Sequence, residues 1–253
     1  MMRTLVMGDI HGGYKALLQC LKRSSFDYEQ DTLIQLGDIA DSYPEVYECI
    51  EELQKIKNLI AIKGNHDEWF REFITTDFHP YYWTYGGKGT LISYLNHCGK
   101  KGRFFATGSG YKTSLDSSDI PEKHREFFKN QKLYHIDEKK RCFIHAGFRR
   151  QLSFLQQKES DYYWHRDLWL DAIDHKFNMS PRKAFKIKSR FKEIYIGHTP
   201  TASRRPEKLF NIINMDTGAG CEGRLTIMDI DSKEYWQSDL LPELYEHNFR
   251  DAS

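Results

Sequence analysis

The sequence has no apolar stretch approaching the roughly 18–20 residues that a membrane-spanning helix needs. The opening run MMRTLVMGDI turns polar too soon for the apolar core of a secretory signal. Cysteine is sparse. Cys20, Cys49, Cys98, Cys142 and Cys221 are scattered and odd in number, and no two form a CxxC pair. That spacing argues against a disulfide framework and against a zinc ribbon, and reduced thiols in a cytoplasmic protein are expected. No cysteine opens a CxxxxxR loop, which disfavours a phosphocysteine route. Neither sign of charge is in excess: 37 Lys and Arg face 36 Asp and Glu, so nothing draws the whole molecule to nucleic acid or to a membrane surface. A Pro/Gly/Ser linker, an internal repeat and a low-complexity tract are all absent, so residues 1–253 are expected to form one domain, long enough to bury a sizeable core.

What is present is the composition of a folded globular chain, 40% hydrophobic and 14% aromatic. Short β-branched or leucine-rich runs predict strands at Thr4–Met7, Thr32–Leu36, Leu59–Ile62, Arg141–Ile144, Glu193–Ile196, Phe210–Asn214 and Arg224–Ile230. Helical spacing joins Leu17, Leu18 and Leu21, and again Val46, Ile50, Leu53 and Ile56, with Pro44 suited to the first turn of the second helix. Strands alternating with helices predict an α/β fold made from crossover units, and the strand-rich second half predicts a second sheet. Two inserts interrupt the pattern: residues 69–135, helical and aromatic-rich, and residues 150–190, basic and aromatic around YYWHRDLW. Either would suit a wall beside a site, or simply pad the scaffold.

Polar residues fall at informative places. The first strand runs into Gly8-Asp9-Ile10-His11-Gly12, the second into Gly37-Asp38-Ile39-Ala40-Asp41, and the third, after Lys63, into Gly64-Asn65-His66-Asp67. Two later strands end at His145-Ala146-Gly147 and Gly197-His198-Thr199-Pro200. In open α/β sheets the site lies at the carboxyl edge of the strands, so these side chains are expected to converge. Asp, His and Asn together suit Mn²⁺, Fe or Zn²⁺ better than a soft thiolate site would, and a carboxylate shared by two cations can hold them roughly 3.5–4 Å apart. Any one of these motifs is common; their order and position at successive strand ends carry the argument. The run VMGDIHGGYKALL superficially resembles a dinucleotide-binding turn, but its glycines do not fit GxGxxG, and Asp9 would stand where a pyrophosphate needs backbone donors.

GDIHG, GDIAD, GNHD, IHAG and GHTP, in this order, resemble the signature of the calcineurin-like metallophosphoesterases. GGKGTLISYL, HREFFKNQKLY, YYWHRDLW and INMDTGAGCEGRLTIMDI are similar to segments of the bacterial and phage phosphoprotein phosphatases, the group that includes lambda phosphatase. The resemblance runs from about residue 4 to 230. It implies a sandwich of two packed mixed β-sheets flanked by helices, and a centre of two divalent ions, with Mn²⁺ expected and Fe or Zn²⁺ as alternatives. Asp9 and His11 would bind the first ion, Asp38 would bridge both, and Asn65, His145 and His198 would complete the second. His66 would be the proton donor and Asp41 the carboxylate that orients it. Arg166, with Asn65 and His66, would bind the substrate phosphate. The chain departs from the family pattern GDxxDRG, where an arginine also grips phosphate: Ser42 and Tyr43 stand in place of that Arg-Gly pair. A permanently charged bidentate clamp is thereby lost. Lys88, Arg149 and Arg150 are candidates to replace it.

The resemblance implies hydrolysis of phosphomonoesters by direct attack of a metal-bridging hydroxide, on phosphorylated proteins, peptides or small phosphoesters, in the manner of a Ser/Thr protein phosphatase. A dinucleoside polyphosphate hydrolase or other nucleotide phosphohydrolase or phosphodiesterase is the alternative. An inactive metal-binding module is the third, and the retained ligand set and the His66–Asp41 pair speak against it.

Overall fold

Four-residue runs such as TLVM, TLIQ and RCFI alternate their side chains between two faces, and here both faces are buried. The computed structural model describes residues 2–79, 81–102, 104–107, 110–178 and 185–250. The first half contains β1 (Thr4–Met7), α1 (Tyr14–Arg23), β2 (Thr32–Gln35), α2 (Val46–Leu53), β3 (Asn58–Ala61), α3 (Asn65–Thr76), α4 (Gly87–Cys98), a ribbon of β4 (Phe104–Thr107) and β5 (Gly110–Thr113), and α5 (Glu122–Asn130). The second half contains β6 (Tyr134–Ile136), β7 (Arg141–Ile144), α6 (Glu159–Trp164), α7 (Asp167–Asn178), β8 (Glu193–Ile196), β9 (Glu207–Leu209), β10 (Ile212–Asn214), β11 (Thr226–Asp229), β12 (Tyr235–Gln237) and α8 (Leu241–Leu244).

Two five-stranded mixed sheets result, in the orders β12-β11-β1-β2-β3 and β6-β7-β8-β10-β9. Strands β1, β2 and β3 are parallel, with Leu5 opposite Leu33 and Leu33 opposite Leu59. The centre of the second sheet, β7, β8 and β10, is parallel as well. Odd and even positions of each strand serve different layers. Leu5, Met7 and Leu33 pack under α1, α2 and α3, whereas Val6 and Ile34 point between the sheets to meet Phe143, Tyr195 and Ile213. Cys142, Ile144, Ile194 and Ile196 turn to the opposite side, under α6 and α7. Each fully buried aliphatic side chain contributes about 1.5–3 kcal/mol, and a one-residue slip of a central strand would exchange side chains between two differently packed layers.

The expected fold, two mixed sheets flanked by helices, is the one observed. Phe210 takes a left-handed turn conformation, φ 55°, so β10 begins two residues later than its apolar run. Pro44 lies outside α2, whose N-cap is Glu45. Strands β6, β9 and β12, with sequences YHI, EKL and YWQ, are partly exposed, and three residues carry no readable alternation. Residues 179–184 of the second insert and Pro80, Arg103, Ser109 and Gly108 of the first lie outside the described residues. Among the described residues no helix is long and apolar enough to cross a membrane.

Candidate metal centre

Six parallel strands end at one edge of the two sheets, and each is followed by a ligand-type side chain. The loops after β1 and β2 carry Asp9 with His11, and Asp38; the first turn of α3, which follows β3, carries Asn65 with His66; and the loops after β7, β8 and β10 carry His145, His198 and Asp216. The backbone at these points is unusual. His11, Asp38, Asp41 and His198 have φ of 52°, 54°, 77° and 67°, a region in which side chains are disfavoured by about 1–3 kcal/mol each. Asp67 holds much of this in place. Its Oδ1 accepts the N–H groups of Ile39 (2.8 Å) and Ala40 (3.1 Å), while Oδ2 accepts those of Asp38 (2.9 Å) and Gly64 (3.0 Å). One buried carboxylate thus clamps the GDIAD and GNHD loops together. Gly197 serves close approach: a Cβ there would stand 2.1 Å from Asp9 Oδ1.

Two sets of ligand atoms converge, with Asp38 common to both. His11, Asp38 and His66 form one, and Asp38, His145 and His198 the other, all atoms of a set within 4.8 Å of one another. Asp38 Oδ2 lies 3.6 Å from His11 Nε2 and 3.4 Å from His145 Nε2, and Oδ1 accepts from the His66 N–H at 3.0 Å. Asn65 Oδ1 is 3.2 Å from His145 Nε2. Asp9 enters from the side, its Oδ2 accepting from the His198 N–H at 3.0 Å. In the first set the ring of His66 stands beside His11, centroids 4.8 Å apart, where the family pattern puts Asp9. His11 and His145 are oriented alike. Nδ1–H donates to the carbonyls of Ala40 (3.1 Å) and Leu36 (2.8 Å), which turns Nε2 toward Asp38.

These residues fit a pair of cations. Among the described residues Asp9 Oδ1 and His198 Nε2 are buried without a hydrogen-bond partner, a condition that costs about 1–3 kcal/mol per group unless something else coordinates it. Burial, reinforced by Asp216 and Asp38, pushes the Asp9 carboxyl well above its ordinary value. Burial likewise pushes His11 well below its ordinary value and His198 down to about 2, keeping both imidazoles neutral, the ligating form. His145 goes the other way: burial opposes its charge, but the adjacent Asp38 carboxylate outweighs burial and raises it to about 9. The centre is a dense group of buried acids and imidazoles that positive charge would relieve.

Beside it stands the pair formed by His66 Nδ1 and Asp41 Oδ2, 2.7 Å apart. Burial acts against charge on both, pushing Asp41 up to about 8 and His66 down to about 3. Trp83 Nε1–H (2.8 Å) and the Thr90 hydroxyl (2.6 Å) donate to Asp41 Oδ1 and oppose its rise, which leaves Oδ2 to accept from His66 Nδ1–H. Arg166 Nη1 donates to the His198 carbonyl (3.0 Å) and Thr199 Oγ1 (3.3 Å), which fixes its guanidinium beside the centre. A cleft of about 540 Å³ opens from Asn65 and His66 and is lined by Trp69, Tyr82, Tyr85 and Trp164 together with Arg166 and Arg250.

All nine residues expected from the sequence therefore lie in this one region. Lys88, Arg149 and Arg150 do not serve it. Arg149 faces Asp161 at 3.7 Å, Arg150 bonds Asp171 at 2.6 Å, and Lys88 lies over the Phe249 ring. Ser42 is fully buried, and among the described residues its hydroxyl has no hydrogen-bond partner; the N-cap of α2 is Glu45, not Ser42. Four further residues were not singled out from sequence. Asp216 follows β10 just as Asp9 follows β1, a signal available in Met215-Asp216-Thr217-Gly218. Asp67 was readable as the third helical residue after Gly64. Trp83 and Thr90 had no such signal.

A doubly wound pair of sheets with a shared carboxylate between two histidine sets defines a metallophosphoesterase. The chain belongs to the calcineurin-like phosphoesterase family, whose model matches residues 2–207. That family uses a binuclear divalent metal centre, and its members act on phosphoric esters. Over 233 residues the chain is 26% identical to serine/threonine-protein phosphatase 1 of Salmonella typhimurium, covering 89% of this chain and 90% of that protein. It is 23% identical to the asymmetrical bis(5'-nucleosyl)-tetraphosphatase PrpE of Halalkalibacterium halodurans, covering 97% of each. A cold-active protein tyrosine phosphatase shares the fold with a TM-score of 0.57 and 16% identity, over 94% of this chain and 79% of that one.

Proposed function

We propose that this chain is a two-metal phosphohydrolase that removes the phosphoryl group from phosphomonoesters, with Ser/Thr phosphoproteins as its substrate class. The observation that carries this reading is the Asp38 carboxylate between two histidine sets, with the His66–Asp41 pair and Arg166 beside it. The similarity to the Salmonella enzyme supports the choice of substrate. Asp9, His11 and Asp38 would hold one ion, and Asp38, Asn65, His145 and His198 the other. Mn²⁺ is the expected metal, with Fe or Zn²⁺ compatible with the same oxygen and nitrogen donors. When bound there, two divalent cations supply Lewis acidity, acidifying water and neutralising charge on the phosphate oxygens.

The chain's own groups do the rest. Arg166, anchored by the His198 carbonyl, donates to phosphate oxygens together with Asn65. His66 keeps Nδ1 bonded to Asp41, presents its other nitrogen to the cleft, and protonates the leaving oxygen. Trp69 lies edge-on to the His66 ring, centroids 4.5 Å apart, and limits water around it. Ligands from both sheets make the two halves act as one domain. The buried thiols of Cys20, Cys49 and Cys142 suit a cytoplasmic setting.

A second reading, hydrolysis of dinucleoside polyphosphates, is favoured by one observation: the cleft wall of Trp69, Tyr82, Tyr85 and Trp164 offers faces on which a nucleobase could stack. The similarity to PrpE points the same way. A turnover panel with added Mn²⁺ separates the readings: p-nitrophenyl phosphate, a phosphoserine peptide, diadenosine tetraphosphate and bis-p-nitrophenyl phosphate. The proposal expects the highest kcat/KM on the phosphopeptide among the natural substrates. A clear preference for diadenosine tetraphosphate would replace it with the second reading, and no turnover of any substrate would refute both.

A further inference from the structure

Arg250 comes from the far end of the chain, yet its guanidinium lies in the cleft with Asn65, His66 and Arg166. Its Nη1 is 3.5 Å from His11 Nε2. Arg250 is half-buried, and among the described residues no carboxylate lies within ion-pairing distance of it; Asp41 and Asp216 feel its charge from farther off. Nor is its position a loose accident of an end segment. Asn248 Nδ2 donates to the Tyr43 hydroxyl and to the carbonyls of Gly220 and Cys221, all at 3.1 Å. The Phe249 N–H donates to the Ser42 carbonyl at 2.8 Å. The Tyr245 ring packs on Tyr43, centroids 4.7 Å apart. Gly220 leaves the opening through which the side chain reaches: a Cβ there would stand 2.3 Å from Arg250 Nη1.

Two of the residues that receive this segment are Ser42 and Tyr43, the same two at which the chain departs from GDxxDRG. An arginine at position 42 would have no room, because Ser42 is fully buried against Gly86 and beneath Phe249. Tyr43 likewise fills, with its ring and hydroxyl, the place where Tyr245 and Asn248 dock. The sequence change therefore removes one guanidinium and creates the seat for another.

We propose that Arg250 is a substrate-binding residue, delivered by the C-terminal segment 241–250, which grips the phosphate of a dianionic phosphomonoester opposite Arg166. The assignment rests on the phosphohydrolase reading above. Two guanidinium groups facing one cleft provide forked donors for more than one phosphate edge, and a phosphodiester, with one charged oxygen fewer, gains less from the second. Asn248 is a positioning residue: it holds the segment that carries Arg250.

The test uses the full chain loaded with Mn²⁺. Arg250→Ala, Arg250→Lys and Asn248→Ala are compared with the natural chain for metal content, melting temperature, affinity for inorganic phosphate by calorimetry, and kinetics on p-nitrophenyl phosphate and bis-p-nitrophenyl phosphate. Arg250→Ala is expected to weaken phosphate binding and raise KM for the monoester by about 10- to 100-fold, with a smaller effect on the diester and metal content unchanged. Arg250→Lys should fall between, since it keeps charge but not the fork. Asn248→Ala should weaken phosphate binding while retaining Arg250, and added guanidinium should partly restore the Arg250→Ala enzyme. Phosphate affinity within twofold of the natural chain in Arg250→Ala would overturn the assignment. So would loss of metal in that variant with normal phosphate affinity once metal is saturating. A natural chain that hydrolyses nothing would sink the proposed function instead, and the calorimetry would still decide whether Arg250 binds phosphate.

Discussion

His66 stands where ligand and proton donor are hard to separate. Its ring meets His11 and a ring nitrogen falls in the set with Asp38, while Nδ1 is bound to Asp41. The bond to Asp41 decides between the roles, because Trp83 and Thr90 are both spent on orienting that carboxylate. His66→Asn is therefore expected to leave metal content nearly intact and to lower kcat by about 10²–10⁴, the usual contribution of a positioned acid. The loss should be smaller for p-nitrophenyl phosphate, whose leaving group needs little protonation, than for a phosphoserine peptide. Elemental analysis and kcat for both substrates check this; lost metal would make His66 a ligand, and equal losses would remove it from proton transfer.

At the scale of the elements, β1 and β2 must start in register for Asp9 and Asp38 to finish side by side. Asp31, the residue before β2, sets that register. It accepts from the Arg3 N–H at 3.0 Å and the Asp27 N–H at 3.1 Å, and it pairs with the Arg3 guanidinium at 2.5 Å. Burial works against its charge, but the hydrogen bonds from Arg3 and Asp27 prevail and hold its carboxyl below the ordinary 3.8. A carboxyl lowered on folding stabilises the fold above its unfolded pKa, and the contribution is lost as pH falls through the folded value. Asp31→Asn should thus cost about 1–3 kcal/mol at neutral pH. Its melting temperature should approach that of the natural chain as pH falls below the ordinary carboxyl value of 3.8 and through the lower folded one. Thermal melts across this range test it: a difference that does not shrink on acidification would assign the effect to geometry and not to charge.

At the scale of the whole molecule, the centre is a joint between two sheets. Asp38 and His145 come from opposite sheets, and contacts such as His145 Nδ1 to the Leu36 carbonyl tie the sheets at that edge. Any ion held between them binds the folded state and not the unfolded chain. Metal at a hundred times its Kd should add about 2.7 kcal/mol to stability. The expected result is a melting temperature that rises with Mn²⁺, falls on chelation, and responds little in Asp38→Ala, which removes the group common to both sets. An unchanged Mn²⁺ response in Asp38→Ala would show that the stabilising ion sits elsewhere.

Much of this molecule was written in local sequence. Short apolar runs marked β1, β2, β3, β7, β8, β10 and β11, because a strand buried on both faces is mostly apolar along its length. The five motifs at strand ends located the candidate ligands, because parallel strands bring their carboxyl ends to one edge however far apart they lie in the chain. Asp216 obeyed the same grammar and was available to it. What the tertiary structure alone decided is which distant groups support that edge. Trp83 and Thr90 reach Asp41 from an insert whose aromatics look like any others, and Arg250 reaches His11 across 239 positions. Periodicity and turn chemistry act over a few residues, so they fix elements and their ends. The seat that Ser42, Tyr43 and Gly220 form for the final segment depends on three chain stretches meeting at once, and side-chain shape and unpaired hydrogen-bonding groups select that meeting only after the sheets have packed.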